Sequence, residues 1–295
     1  MDQAERLREL AKEKKKNSVE IIAVTSGKGG VGKTSISVNL GIAFAISGRK
    51  VLIVDADLGL SNVNIIAGVV PPPRYNLFHF IKGEKEIKDI IAEGPCGIKL
   101  ITGAIGISTL ANLSPKKRIE FIEGLSSLNS ICDMIFIDTS AGLSGKVMSF
   151  ILSSDKVLLI TTPEPTAIAD AYGIIKAVSF KTKDLDIRLI VNKVKNAEEG
   201  ERVANRIIEI AGQFLGMRVG KLGVILDDHV VCDSVHQQTP FFLSHPKSKA
   251  SQCIYNLRNV LADIPTSDNN EGIGGFLKRL FRTEREYMEF ARDEG

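Results

Sequence analysis

The sequence predicts an α/β fold: a mostly parallel central sheet with helices on both faces, and a short amphipathic helix at each end. Three observations carry this. Apolar, β-branched runs alternate with segments of helical periodicity through most of the 295 residues, as they do in parallel sheets with crossover helices. One strand-to-helix junction, Gly27-Lys28-Gly29-Gly30-Val31-Gly32-Lys33-Thr34, fits the phosphate-loop pattern G-x-x-x-x-G-K-[ST] at every fixed position. A second apolar run, residues 133–138, ends in a carboxylate, Asp138.

Composition narrows the class. A net charge of +3 is nearly balanced, which argues against a general polyanion binder, so no direct nucleic-acid partner is expected. No apolar run approaches the roughly 20 residues of a membrane span. The first residues, Met1-Asp2-Gln3-Ala4-Glu5-Arg6, are charged where a secretory leader would be apolar. Cys96, Cys132, Cys232 and Cys253 are far apart and form no C-x-x-C pair, which suits a reducing cytoplasm. Three units are expected: a helix and basic linker at 1–17, an α/β domain at 18–264, and a linker with an amphipathic helix at 265–295.

In chain order, residues 2–11 put Ala4, Leu7, Leu10 and Ala11 on one face of a helix. Such a helix is too short to be stable alone in water, so it docks on its own core or folds on a partner. Lys12, Lys14, Lys15 and Lys16 follow as a charged linker. Residues 19–25 form a buried strand, the glycine-rich loop comes next, and residues 35–45 have helical spacing. That order aims backbone N–H groups at phosphate oxygens, at the positive end of a helix dipole. Lys33 can neutralise the β- and γ-phosphates, and the Thr34 hydroxyl can sit on Mg²⁺.

Residues 50–54 form the next strand, followed by Asp55 and Asp57. At a strand's carboxyl end beside the phosphate loop, one carboxylate can organise the Mg²⁺ shell while the other orients or deprotonates the attacking water. Pro71-Pro72-Pro73 breaks structure, residues 76–93 have the pattern of one or two short helices, 98–102 of a strand and 115–128 of an amphipathic helix. Asp138 is expected to bind Mg²⁺ through water. In the loop after it, Thr139-Ser140-Ala141-Gly142, the Gly142 N–H can contact the γ-phosphate. Strands at 156–161, 185–191 and 219–225 then alternate with helices at 167–180, 199–215 and 250–261.

The chain ends in a polar, glycine-rich linker at 264–275 and a helical pattern. Stepping about 100° per residue, Ile273, Phe276, Leu277, Leu280, Phe281, Tyr287 and Met288 share one face. Lys278, Arg279, Arg282 and Arg285 lie on the other, and Glu284 intrudes on the apolar side. An aromatic, basic amphipathic helix behind a flexible linker predicts an interfacial anchor on anionic lipid, with Phe276, Leu277, Leu280 and Phe281 inserted.

The loop from Lys28 to Thr34 resembles the deviant Walker A motif of the MinD/ParA ATPases. The resemblance implies an Mg²⁺-dependent ATPase that works as a nucleotide-sandwich homodimer. In it Lys28 reaches the nucleotide of the other subunit. It further implies that the run from Gly27 to Thr34, with Ser35, binds ATP, that Thr34, Asp55 and Asp138 serve the metal, and that Asp57 positions the water. Asn62 helps to hold that water, Glu164 touches the ribose across the dimer, Asn192 reads the adenine edge and Asp227 lies in the loop over the base. Ser140 and Leu226 stand where many relatives have proline. Some relatives of this fold share an iron–sulfur cluster, but Cys132 precedes its strand and should lie at the wrong end of the sheet for that role.

At the N-terminus, Asp2, Gln3, Ala4, Leu7 and Arg8 match the D-Q-A-x-x-L-R motif of the FlhG family (also called FleN or YlxH), MinD-like regulators of flagellar number. There the motif stimulates the GTPase FlhF. The last helix resembles the membrane-targeting sequence of MinD. The expected protein is therefore an ATPase held peripherally on the inner face of the cell membrane, controlling flagellar number and placement. FlhF is the implied partner, with C-ring switch proteins or a flagellar transcription activator as others. The rivals are a MinD-type division-site ATPase, a ParA-type DNA segregation ATPase, and a redox relative that would need paired cysteines.

Overall fold

The computed structural model of the chain describes residues 19–57, 62–103, 115–265 and 271–293, apart from the side chains of 115–119 and 284–293. The apolar runs form strands β1 (Glu20–Thr25), β2 (Val51–Ala56), β3 (Ile91–Glu93), β4 (Lys99–Ile101), β5 (Met134–Thr139), β6 (Lys156–Thr161), β7 (Asp186–Val194) and β8 (Val219–Leu226). They make one eight-stranded sheet in the order β3-β4-β2-β5-β1-β6-β7-β8. Every neighbouring pair is parallel except β3 with β4. All six residues of β1, β5 and β6 are buried. This is why those strands read as continuous apolar runs and not as alternating ones: helices cover both faces.

One face carries α1 (Lys33–Ile46) and the short helix α2 (Val63–Ile66), whereas α3 (Leu77–Ile81), next in the chain, packs Leu77 and Ile81 on the other face. The opposite face carries α4 (Pro115–Ser126), α5 (Gly145–Ser153), α6 (Pro165–Ser179) and α7 (Ala197–Leu215). Then come α8 (His229–His236), α9 (Phe241–Ser244), α10 (Lys249–Asp263), which returns to the face of α1, and α11 (Gly272–Asp293). Phe44 of α1 packs on Phe136 of β5 at 6.1 Å between centroids. Among the described residues no helix is long and apolar enough to cross a membrane.

Two expectations change. Residues 76–93 hold α3 and a 3-10 turn (Ile87–Ile90), but they end in the antiparallel edge strand β3, with Ile91 opposite Ile101. The edge pairing with β4 outweighs the weak helical pattern there. The second change concerns the tail. The face expected to meet lipid is buried in the protein itself: Leu277 and Leu280 are 1% exposed, and Phe276 and Phe281 are 7% exposed. It closes over Ile21, Ile135 and Ile137, whose side chains line the sheet between α4 and α5, and Phe281 meets Phe121 edge-on at 6.2 Å. The physical reason is that this stretch of sheet would otherwise face water. Arg279, assigned to the outer face, turns inward: Nε donates to the Ser153 carbonyl and Nη2 to Asp155 Oδ1, both at 2.9 Å. The side chains of Tyr287 and Met288 lie outside the described residues.

Candidate active site

The phosphate loop joins β1 to α1. Gly30 and Gly32 take φ of 76° and 96°, left-handed values that glycine adopts without strain. At Gly32 a Cβ would also stand 2.5 Å from the Asn192 amide nitrogen, and at Gly27 it would stand 2.4 Å from the backbone of Asp170 on α6. The loop is thus pressed between β7 and α6. Lys33 opens α1 and is buried, at the helix end where unpaired N–H groups favour an anion.

The sheet register sets Asp55 directly beside Asp138, and both are 2% exposed. Thr34 Oγ1 donates to Asp138 Oδ2 at 2.7 Å and Ser37 Oγ to Oδ1 at 3.0 Å. Asp55 Oδ1 accepts from the Asp57 N–H at 3.0 Å. Burial pushes the Asp138 carboxyl up to about 7, against the hydrogen bonds from Thr34 and Ser37 and the charge of Lys33, while Asp55 adds to the rise. Two adjacent buried carboxylates and a threonine hydroxyl form an all-oxygen set that fits a hard divalent cation. Among the described residues no three His, Cys, Asp or Glu side chains converge into a protein-only metal site, so a cation here would need nucleotide oxygens or water to complete its shell.

Asp57, half-buried, follows β2, and Asn62 is exposed at the start of α2; residues 58–61 between them lie outside the described residues. The Gly142 N–H, expected at the γ-phosphate, instead donates to the Ser26 carbonyl at 2.9 Å. A phosphate contact there requires this loop to shift, and Gly142 has the left-handed φ of 96° that holds the present turn.

Beside the loop, a cleft of about 370 Å³ is lined by Gly32, Ser35, Asn192, Asp227, Cys232 and Phe241 among others. Asn192 Nδ2 donates to the Val31 carbonyl at 2.7 Å, and the Asp227 N–H donates to Val194 at 2.8 Å. Facing α6, Lys28 Nζ lies 2.6 Å from Glu164 Oε2 and 3.1 Å from the Thr166 hydroxyl. This pairing holds the Glu164 carboxyl below the usual range, first through the hydrogen bond and then through the charge of Lys28.

The structure therefore gathers Gly27 to Ser35, Asp55, Asp57, Asp138, Glu164, Asn192 and Asp227 around the carboxyl ends of the strands. Asp2, Gln3, Ala4, Leu7 and Arg8 lie outside the described residues. Cys132 lies just before β5, at the opposite end of the sheet; its buried thiol donates to the Leu128 carbonyl at 3.3 Å and is pushed up to about 12 by burial. Three residues that touch the site escaped the sequence reading: Ser37, Thr166, and Lys193, whose Nζ donates to the Gly30 carbonyl. Ser37 alone had a signal, since it follows Thr34 by three residues and so shares its helix face.

A family model described as an AAA domain matches residues 19–191. The antiactivator FleN of Pseudomonas aeruginosa is 35% identical over 263 residues, which cover 89% of this chain and 93% of FleN. The chain belongs to the FleN/YlxH (FlhG) group of MinD/ParA-type P-loop ATPases. The flagellum site-determining protein YlxH of Helicobacter pylori is 34% identical over 277 residues, covering 90% of this chain and 91% of YlxH. In structure, MinD of Pyrococcus horikoshii complexed with Mg-ADP superposes with a TM-score of 0.66 at 29% identity, covering 83% of this chain and 96% of that one. As a member of this family the chain is an ATPase, converting ATP and water to ADP and phosphate.

Proposed function

We propose that this FlhG-group ATPase is a membrane-associated dimer switch that regulates flagellar number and placement together with the GTPase FlhF. The observation that carries the reading is its similarity, over nearly the full length, to FleN and YlxH, named as an antiactivator and a flagellum site-determining protein. The Asp2–Arg8 motif supports FlhF as partner.

In the catalytic cycle, Lys33 and the loop N–H groups bind the β- and γ-phosphates. Thr34, Asp55 and Asp138 would hold Mg²⁺, which would supply charge neutralisation on the phosphates. Asp57 orients the water in line and accepts its proton, and Asn62 helps to hold that water. Gly142 contacts the γ-phosphate after leaving Ser26. Lys28 and Glu164, paired within one chain here, separate to reach the partner's nucleotide in the homodimer, while Asn192 and Asp227 receive the base.

Membrane attachment on this reading has a cost. Phe276, Leu277, Leu280 and Phe281 are buried against the core, so α11 must leave its groove before it can enter a lipid surface. The groove wall includes Val54, Asp55 and Ala56, which lead into Asp57, so the groove borders the nucleotide site. The localisation proposed is cytoplasmic, peripheral on the inner face of the cell membrane. C-ring switch proteins or a flagellar transcription activator are the further partners proposed. Deleting the gene and counting flagella and minicells tests the reading: altered flagellar number or placement supports it, whereas minicells with normal flagella overturn it in favour of division-site placement.

A further inference from the structure

Lys193 has none of the roles above, yet its backbone is unusual. It takes a left-handed φ of 57° at the point where the register of β7 and β8 slips, between Val191 and Val194. Residues with a Cβ rarely adopt this conformation; it persists where the surroundings over-determine it, and such positions cluster at functional sites.

What the turn achieves is visible in two hydrogen bonds. Lys193 Nζ donates to the Gly30 carbonyl at 2.9 Å, and Asn192 Nδ2 donates to the Val31 carbonyl at 2.7 Å. In a regular strand, neighbouring side chains point to opposite faces and could not both reach one loop. The left-handed residue breaks the alternation, so two consecutive side chains grip two consecutive carbonyls of the phosphate loop. Because a trans peptide is planar, its N–H points opposite to its carbonyl. Pinning Gly30 O outward turns the Val31 N–H inward, and pinning Val31 O does the same for the Gly32 N–H. Inward N–H groups are what a phosphate loop offers its ligand.

We propose that Lys193 is a positioning residue for nucleotide binding: it presets the Gly30–Val31 peptide so that the loop meets a nucleoside di- or triphosphate already formed. It touches no phosphate. Since Lys193 is exposed, its bond adds little to folding stability, and its effect is on ligand affinity.

Titration of the full-length protein with fluorescent ADP and ATP analogues, with Mg²⁺ present, tests this alongside unfolding of the nucleotide-free protein. Lys193→Met should weaken both analogues by a similar factor, about three- to tenfold, the scale of one solvent-exposed hydrogen bond, and raise KM with kcat little changed. Lys193→Arg should recover most of the loss. Lys193→Gly relieves the left-handed strain, so its unfolding temperature should hold or rise while nucleotide binding falls as far as in the Met variant. Binding within twofold of the parent in the Met or Gly variant overturns the proposal, as does a loss that only tracks a lower unfolding temperature.

Discussion

Lys28 and Glu164 hold each other within one chain, Nζ to Oε2 at 2.6 Å, with the Thr166 hydroxyl completing the contact at 3.1 Å. Both residues are expected to act on a partner's nucleotide, so this pair is what dimerisation must exchange. Both side chains are well exposed, 40% and 61%, and an exposed ion pair is weak enough to be broken by the new contacts.

Lys28→Ala should therefore bind ATP about as well as the parent, because Lys33 and Thr34 are untouched, but should not dimerise. Nucleotide titration and size-exclusion chromatography with ATP measure the two properties separately. An Ala variant that still forms an ATP-dependent dimer contradicts the trans role.

Asp57→Ala should retain ATP and accumulate as a dimer, with hydrolysis reduced by at least 10²-fold, the scale of a lost general base. Lys33→Ala or Thr34→Ala should instead abolish nucleotide binding. An Asp57→Ala protein that binds ATP yet stays monomeric rules out the water-positioning assignment.

The Asp138 carboxyl, pushed up to about 7 from 3.8 by burial, gives a pH dependence of unusual sign. Between those two values the folded nucleotide-free protein holds more protons than the unfolded chain, so this group's contribution to stability falls as pH rises through the window. Mg²⁺–nucleotide binding needs the carboxylate, so affinity should rise with pH by up to about tenfold per unit below 7 and level off above it. Isothermal titration in buffers of different ionisation heat should detect proton release on binding at pH 6, and Asp138→Asn should remove it. Affinity that is flat from pH 5.5 to 8 refutes the assignment.

Much of this site was legible because its chemistry is local. The run from Gly27 to Thr34 lies at one strand–helix junction, and Asp55 and Asp138 each close the apolar run of a strand, one residue before its end, so pattern alone placed them. Lys193 was not legible, since its role depends on a bulge between β7 and β8 and on a carbonyl distant in sequence. The Gly142 N–H was assigned to phosphate because nothing in the sequence reveals its bond to Ser26. The tail exposes a deeper ambiguity. An amphipathic helix has the same periodicity whether its apolar face meets lipid or the flank of a sheet, and Arg279 looks like a lipid-facing cation until Ser153 and Asp155 are seen beside it.

That anchor gives a further expectation. The Asp155 side chain is 3% exposed, accepts from the Ile21 N–H through one oxygen and is paired with Arg279 through the other. Arg279→Ala removes charged hydrogen bonds of about 1.5–3 kcal/mol each and should shift α11 toward the undocked state. Hydrogen exchange should show faster labelling of residues 272–283 with the ATPase core unchanged. Protection equal to that of the parent means the latch is not Arg279.

Liposome co-sedimentation on anionic vesicles tests the central claim, that ATP-driven dimerisation delivers a helix otherwise docked on the core. On this account a single tail should bind marginally, and two on one dimer would make the second insertion intramolecular, a gain on the order of 10²–10⁴. The account predicts strong binding of the parent protein with ATP and Mg²⁺, weak binding with ADP, and none after Phe281→Glu. Equal binding with ATP and ADP would contradict it.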